Sequence, residues 1–195
     1  MTHGKYTAML GRLLEKEFKE KAPKNLRLIY DHAPKETVGG EKRYKTVPYF
    51  RNYGRESTLS HVDLVVIDTD SRTAVLICEI EEAGARLERT VEPKKIIGDT
   101  CNLFLARKLR VMEADYDIGN SVFVLGIKVN DSKRSRSREK AESLRLAILE
   151  MVNLNFQRNI RIEYICESEP NLLIDRVASK IREVVGFSDS QKLQL

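Results

Sequence analysis

Two apolar runs joined by a turn constrain this chain more than any other feature. Residues 62–67 (VDLVVI) and 73–82 (TAVLICEIEE) are short and rich in strand-forming residues, and the four residues Asp68 to Ser71 between them have turn composition. In the second run, alternate positions begin apolar on both faces. A strand that is apolar on both faces is typically central in a sheet and covered on both sides. These runs therefore predict an α/β fold.

Periodicity along the rest of the chain predicts the surrounding elements. Helical spacing of apolar residues predicts helices over 5–21, 92–109, 138–154 and 171–185, the last closed by Gly186. Shorter apolar runs predict strands over 26–30, 121–129 and 160–166, the last nearer an edge. Residues 33–57 read as a long loop or a ragged hairpin. The order α-β-β-β-α-β-α-β-α predicts a mixed central sheet with helices on both faces.

Length and composition bound the class of protein. A chain of 195 residues fits a single domain, here 1–195, with a core over about 5–166 and a frayed tail over 187–195. No apolar run approaches the roughly 20 residues that a membrane span needs, and the N-terminus has no signal-peptide pattern. The three cysteines are widely spaced and form no zinc pattern. We therefore expect a cytoplasmic protein without structural disulfides.

Basic residues are concentrated in two segments of a chain whose net charge is +5. In the first segment they alternate with aromatic side chains, which favours contact with nucleic acid over a merely solvated loop. The second is a Ser/Arg run that is either a surface turn or a phosphate clamp. The predicted nucleic-acid-binding residues are Lys42, Arg43, Tyr44, Lys45, Arg51, Tyr53, Arg55, Lys133, Arg134 and Arg136.

Three carboxylates lie on the two strongest strands. If residues 62–67 and 73–82 pair as an antiparallel hairpin, Asp63 lies roughly across from Glu79, and Glu81 shares the face of Glu79. Buried carboxylates that crowd one another are costly, and a divalent cation removes that cost. Oxygen-only ligands suit Mg²⁺, with Mn²⁺ as a substitute. The alternative is a solvated sheet end, or ion pairs with Lys94 and Lys95.

The first helix adds a fourth acid. Its apolar arc is centred near Leu10 and Leu13, and Glu17 falls in the middle of that arc. A carboxylate in such a position needs a partner. Glu17 therefore either joins the other three acids or pairs with a basic residue.

The acids in this order resemble a known pattern. Glu17 on a first helix, then Ser60-His61-Val62-Asp63, then Glu79-Ile80-Glu81 resembles the PD-(D/E)XK, or restriction-endonuclease-like, nuclease superfamily. The resemblance covers about residues 5–129 and implies that superfamily's αβββαβ core. It also implies a Mg²⁺-dependent endodeoxyribonuclease that acts on double-stranded DNA as a homodimer. Asp63, Glu79 and Glu81 are then the metal ligands, and Glu17 is a further catalytic residue.

One position departs from the superfamily's pattern. Most members have lysine where this chain has Glu81, although a few restriction endonucleases have glutamate there. The resemblance then leaves the role of the lysine to Lys94, at the start of the next helix, or to the metal alone. A type II restriction endonuclease is the first expectation, and a Holliday-junction or DNA-repair nuclease the second. A non-catalytic nucleic-acid-binding domain of the same fold is the alternative that the missing lysine supports.

Overall fold

A computed structural model describes residues 5–30, 47–50, 58–82, 93–111, 114–129, 137–155 and 161–187. Within these ranges the chain forms four helices that are separated by one to five consecutive strands, in a mixed α/β arrangement. The helices are α1 (Lys5–Lys21), α2 (Pro93–Leu105), α3 (Ser137–Asn155) and α4 (Pro170–Val185). The strands are β1 (Leu26–Tyr30), β2 (Val47–Phe50), β3 (Thr58–Val62), β4 (Leu64–Asp68), β5 (Thr73–Glu82), β6 (Lys108–Val111), β7 (Ala114–Asp117), β8 (Val122–Lys128) and β9 (Arg161–Glu167).

The longest strands form a mixed sheet in the order β1-β4-β5-β8-β9. The pairs β1–β4 and β4–β5 are antiparallel, whereas β5–β8 and β8–β9 are parallel. Strand β5 lies between β4 and β8, so the prediction that this run is central is confirmed. Strand β9 pairs with β8 alone among the described strands, in agreement with its predicted place nearer an edge.

Four short strands add a second path to this sheet. Strands β3, β2, β6 and β7 pair in that order, all antiparallel, and β7 joins the start of β5 at Thr73. Strand β3 ends at Val62 and β4 begins at Leu64, so the chain passes from the added strands into the main sheet across a single residue. Asp63 is the single residue at this junction, which we call the corner.

The helices lie in two layers, one on each face of the main sheet. Helices α1 and α4 pack against a core that includes Leu64, Cys78 and Val124. Helices α2 and α3 pack against the other core, which includes Ile77 and Phe123. Side chains of a strand alternate between faces, so β5 contributes to both cores, and this explains its two apolar faces.

Several predicted elements agree closely with the structure. The bounds of α1, β1 and β5 are those predicted, and those of α3, α4, β8 and β9 agree within one residue. For residues 33–57, predicted as a long loop or a ragged hairpin, the structure agrees with the hairpin, because β2 pairs with β3 in an irregular register at Tyr49 and Phe50. Gly186 caps α4 in the left-handed conformation, at φ 80°, and its N–H donates to the carbonyl of Glu183. Within the described ranges, no helix is both long and apolar enough to cross a membrane.

Other predictions were wrong in ways that affect the topology. The helix predicted over 92–109 ends at Leu105, and 108–111 forms β6, in which Leu109 and Val111 alternate inward with period two. The strand predicted over 62–67 breaks at Asp63. Strand β7 was not predicted at all.

Candidate functional site

Asp63 lies at the corner because its side chain replaces a ladder hydrogen bond. The last regular pair of β4 and β5 is Leu64 with Cys78, and one residue further the strands stop pairing through their backbones. Instead, the Ile80 N–H donates to Asp63 Oδ2 at 2.9 Å. A carboxylate that accepts a backbone N–H offers the chain an alternative to the ladder. The bend therefore follows from the identity of residue 63.

Glu79 completes a reciprocal arrangement with Asp63. The Asp63 N–H donates to Glu79 Oε2 at 3.3 Å. The carboxylate of Glu79 thus accepts the amide of Asp63, and the carboxylate of Asp63 accepts the amide of the residue that follows Glu79. Glu79 is only 5% exposed, and Asp63 is partly buried. The structure thus brings together two of the acids that the sequence predicted to meet.

Glu81 continues the same row. It is 7% exposed and lies two residues beyond Glu79 on β5, on the face that α2 and α3 cover. Its neighbour on β8 is Ile127, a fully buried residue of that core. Two nearly buried glutamates on one strand face, with an aspartate at its side, concentrate negative charge in apolar surroundings.

The negative charge of these acids also affects the pKa of Cys78, whose side chain lies on the other face of β5. Burial raises the pKa of Cys78 well above its ordinary value, and the negative charges of Asp63 and Glu79 raise it further. A cation at the acids would oppose that second effect.

The donors present suit a hard divalent cation. Within the described part of the chain, no three Asp, Glu, His or Cys side chains form a preassembled metal cluster. Mg²⁺, however, typically binds through one or two carboxylates and completes its shell with water and substrate phosphate. Asp63 and Glu79 each accept a backbone amide through one oxygen. A carboxylate has about four acceptor positions on its two oxygens, so it can accept an amide and ligate a cation at the same time. The residues therefore fit Mg²⁺ or Mn²⁺.

No family model, curated protein or solved structure matches this chain.

Glu17 lies elsewhere in the molecule. Its carboxylate forms a two-pronged ion pair with Arg182 of α4, at 2.8 Å and 2.6 Å, and the hydrogen bonds from Arg182 lower its pKa. Helices α1 and α4 cover the face of the sheet opposite to Glu79 and Glu81. Leu13, placed near the centre of the predicted apolar arc, is 39% exposed. The structure thus gives Glu17 the basic partner that the sequence analysis left open, and does not bring it to the corner.

Two residues that sequence reasoning missed, Gly11 and Tyr30, are in contact with each other next to the corner. Gly11 of α1 lies against the ring of Tyr30, where an added Cβ would come within 2.2 Å of a ring carbon. Tyr30 pairs with Leu64 next to the corner, and its hydroxyl donates to Glu15 Oε2 at 3.1 Å. A glycine inside a predicted helix was the available signal, since such a residue commonly marks a close approach.

The remaining predicted site residues cannot be placed. Lys94 lies in the first turn of α2, but its side chain is outside the described part of the structure. The predicted nucleic-acid-binding residues also lie outside it: Lys42, Arg43, Tyr44, Lys45, Arg51, Tyr53, Arg55, Lys133, Arg134 and Arg136.

Proposed function

We propose that this protein is a Mg²⁺-dependent endodeoxyribonuclease with its active site at the corner. The observation that carries the proposal is the reciprocal contact of Asp63 and Glu79, with the nearly buried Glu81 beside them. Nearly buried carboxylates are costly unless they are paired or bind a metal ion. Oxygen-only donors suit a cation that acts on a phosphodiester.

The arrangement of the strands supports a restriction-endonuclease-like core. The resemblance implies an αβββαβ order, and α1, β1, β4, β5, α2 and β8 follow that order once the two added hairpins are set aside. Asp63 directly precedes β4 and Glu79 lies in β5, as the pattern of acids requires.

The residues of the chain have distinct tasks in the proposed reaction. Bound Mg²⁺ would polarise the scissile phosphate and lower the pKa of the attacking water. Asp63 and Glu79 hold their carboxylates in a fixed orientation, because backbone amides on neighbouring strands bind one oxygen of each. Glu81 adds negative charge two residues further along, and Lys94 remains the proposed source of a positive charge on α2.

The proposed substrate is double-stranded DNA, cut by a homodimer in the manner of a type II restriction endonuclease. Two active sites related by a two-fold axis can cut both strands of a duplex. The two basic segments, 35–55 and 133–138, are the proposed DNA contacts of each subunit. A Holliday-junction or repair nuclease would use the same chemistry on a different DNA structure.

One observation favours a second candidate, a DNA-binding domain without catalysis. Asp63 and Glu79 already accept backbone hydrogen bonds, and these bonds alone would explain why a strand corner contains acids. Glu81 in place of the usual lysine points the same way. A protein of this second kind has the same fold and binds DNA, but it does not bind a metal ion.

Incubation of the protein with a mixed-sequence supercoiled plasmid, with Mg²⁺ or with EDTA, separates the candidates. Discrete fragments that need Mg²⁺ are the expected result for a restriction endonuclease, and a smear would indicate a nonspecific nuclease. Branched and flap substrates are then tested in the same buffers. If every substrate stays intact while a gel-shift assay detects binding, the non-catalytic candidate replaces our proposal.

A further inference from the structure

The first helix and the segment that follows it form a basic region. Residues 5–27 contain seven basic and three acidic residues, so this segment has a net charge of +4. By contrast, α3 has three basic and three acidic residues, and α4 has three and two. Residues 5–27 are thus a third basic region, in addition to the segments 35–55 and 133–138.

Four of these basic residues form a line, which we call the basic stripe. They are Lys5, Arg12, Lys16 and Lys19, and all four are exposed. At 3.6 residues per turn their positions fall within about 60° around the helix axis and extend about 21 Å along it. Of the three acids of α1, Glu17 pairs with Arg182, whereas Glu15 and Glu20 pair with Lys19 and Lys16 of the stripe. The stripe therefore remains basic, with four cations against two acids.

The surface pairs within the stripe are weak. Lys19 lies 3.1 Å from Glu15, Lys16 lies 3.9 Å from Glu20, and the side chains of the two lysines are 68% and 81% exposed. Exposed pairs of this kind contribute about 0–1 kcal/mol and are screened by salt. The two lysines can therefore leave these pairs and bind a molecule whose negative charges are more closely spaced.

We propose that the basic stripe binds the phosphate backbone of duplex DNA. This inference rests on the proposed function for its choice of nucleic acid, and it adds a contact surface beyond the two basic segments. A line of four cations about 21 Å long complements the regular spacing of phosphates, about 3.4 Å of helix axis per nucleotide of one strand. Backbone contacts of this kind position DNA and carry no sequence information.

The stripe lies on the outer side of α1, in the layer opposite to Glu79 and Glu81. Arg12 follows Gly11, which contacts the ring of Tyr30, and Tyr30 pairs with Leu64 next to Asp63. Strand β1 is the outermost strand of the main sheet on this side, among the strands described. Contacts along the stripe would therefore hold DNA on the α1 layer, as a positioning surface separate from the acids.

An anionic membrane would match the same charges but not the rest of the helix. Helices that bind membranes insert an apolar face, and in α1 that face is already buried in the protein core through Tyr6, Leu10, Leu14 and Phe18. Within α1, Leu13 is the only large apolar side chain that is exposed. The stripe offers charge without an apolar anchor, as a phosphate backbone requires.

The test compares two variants that lose the same charge from different surfaces. The stripe variant is Lys5→Gln/Arg12→Gln/Lys16→Gln, and the control is Arg72→Gln/Arg107→Gln/Lys180→Gln, whose sites lie in the β4–β5 turn, before β6 and on α4. Binding of a labelled 20-base-pair duplex is measured in EDTA over a range of KCl concentrations. Thermal denaturation verifies that both variants are folded.

The stripe variant is expected to reduce the slope of log K against log [KCl] by about three units, and the control by less than one. Equal slopes for the stripe variant and the wild type would overturn the proposal, as would equal losses in the two variants. Tighter binding of the wild type to phosphatidylserine vesicles than to the duplex would replace DNA by a membrane. Plasmid cleavage is assayed in parallel: loss of the slope without any cleavage sinks the nuclease proposal alone, and cleavage with an unchanged slope sinks the stripe alone.

Discussion

Two partly buried acidic sites in this protein solve the same electrostatic problem differently. At one, Glu17 meets the guanidinium of Arg182 through two hydrogen bonds, so its charge is balanced by a permanent cation. At the corner, Asp63 and Glu79 meet backbone amides, which carry only partial charges. A guanidinium cancels the charge of the carboxylate with which it pairs, whereas a backbone amide that donates to a carboxylate leaves its net charge in place. This difference is why we assign metal binding to the corner.

The largest expected effect is the loss of cleavage when an acid at the corner is removed. Asp63→Asn and Glu79→Gln should each reduce the rate of plasmid cleavage at least about a hundredfold, because metal stabilisation of the transition state is worth several kcal/mol. DNA affinity should be almost unchanged, since the basic surfaces are untouched. Cleavage by either variant near the wild-type rate in saturating Mg²⁺ would show that the site is misassigned.

Glu81 is expected to tolerate loss of charge better than its reversal. Glu81→Lys places a cation beside Glu79 and should lower both Mg²⁺ affinity and cleavage, even though it creates the superfamily's common motif. Glu81→Gln should lose less Mg²⁺ affinity than Glu81→Lys. Isothermal titration with Mg²⁺ and cleavage kinetics measure both. Full activity of Glu81→Lys would mean that Glu81 is a tolerated replacement and that Asp63 and Glu79 are sufficient.

The contact between Gly11 and the ring of Tyr30, next to the corner, can be tested through the free energy of unfolding. Gly11→Ala should lower the free energy of unfolding by about 1–3 kcal/mol, because the added Cβ forces the Tyr30 ring to move. Gly98→Ala in α2 is the matched control, since no atom lies within 4 Å of its added Cβ and alanine favours a helix by about 1 kcal/mol. Urea denaturation distinguishes them. Equal or higher stability of Gly11→Ala would show that the ring is not tightly held.

The smallest expected effect concerns the pair of Glu17 and Arg182. A double-mutant cycle with Glu17→Gln and Arg182→Ala should give a coupling of about 0.5–1 kcal/mol at neutral pH, in the usual range for accessible ion pairs. Because the folded-state pKa of Glu17 lies below its ordinary value of 4.5, this coupling is present above that value. It is lost as the pH falls through the folded-state pKa.

The cycle also includes a functional measurement. Plasmid cleavage by Glu17→Gln should remain within a few-fold of the wild type. A coupling of zero at pH 7 would contradict the assigned ion pair. A loss of cleavage as large as that of Glu79→Gln would return Glu17 to the active site.

The sequence was sufficient where local pattern decides the structure. Helix α1 ends before Pro23, and β5 has two apolar faces because helices cover both of them. The capping role of Gly186 was also readable, since a glycine after an amphipathic run commonly adopts the left-handed conformation.

The sequence was insufficient where a distant partner decides the structure. The partner of Glu17 lies 165 residues away, and no local pattern identifies it. Asp63 breaks a run that looks continuous, because its carboxylate accepts the Ile80 N–H across the hairpin. Strands β6 and β7 have only four residues each, so too few positions were available to distinguish a period of two from the end of a helix.

The most direct test of the account compares Glu79→Gln with Glu17→Gln in Mg²⁺ binding, because each variant removes one charge from one of the two acidic sites. Titration calorimetry of the wild type, in the absence of DNA, should detect a Mg²⁺ site. We predict that Glu79→Gln abolishes or strongly weakens it and that Glu17→Gln leaves its affinity unchanged. Unaltered Mg²⁺ binding by Glu79→Gln, or its loss in Glu17→Gln, would contradict the assignment of the metal to the corner.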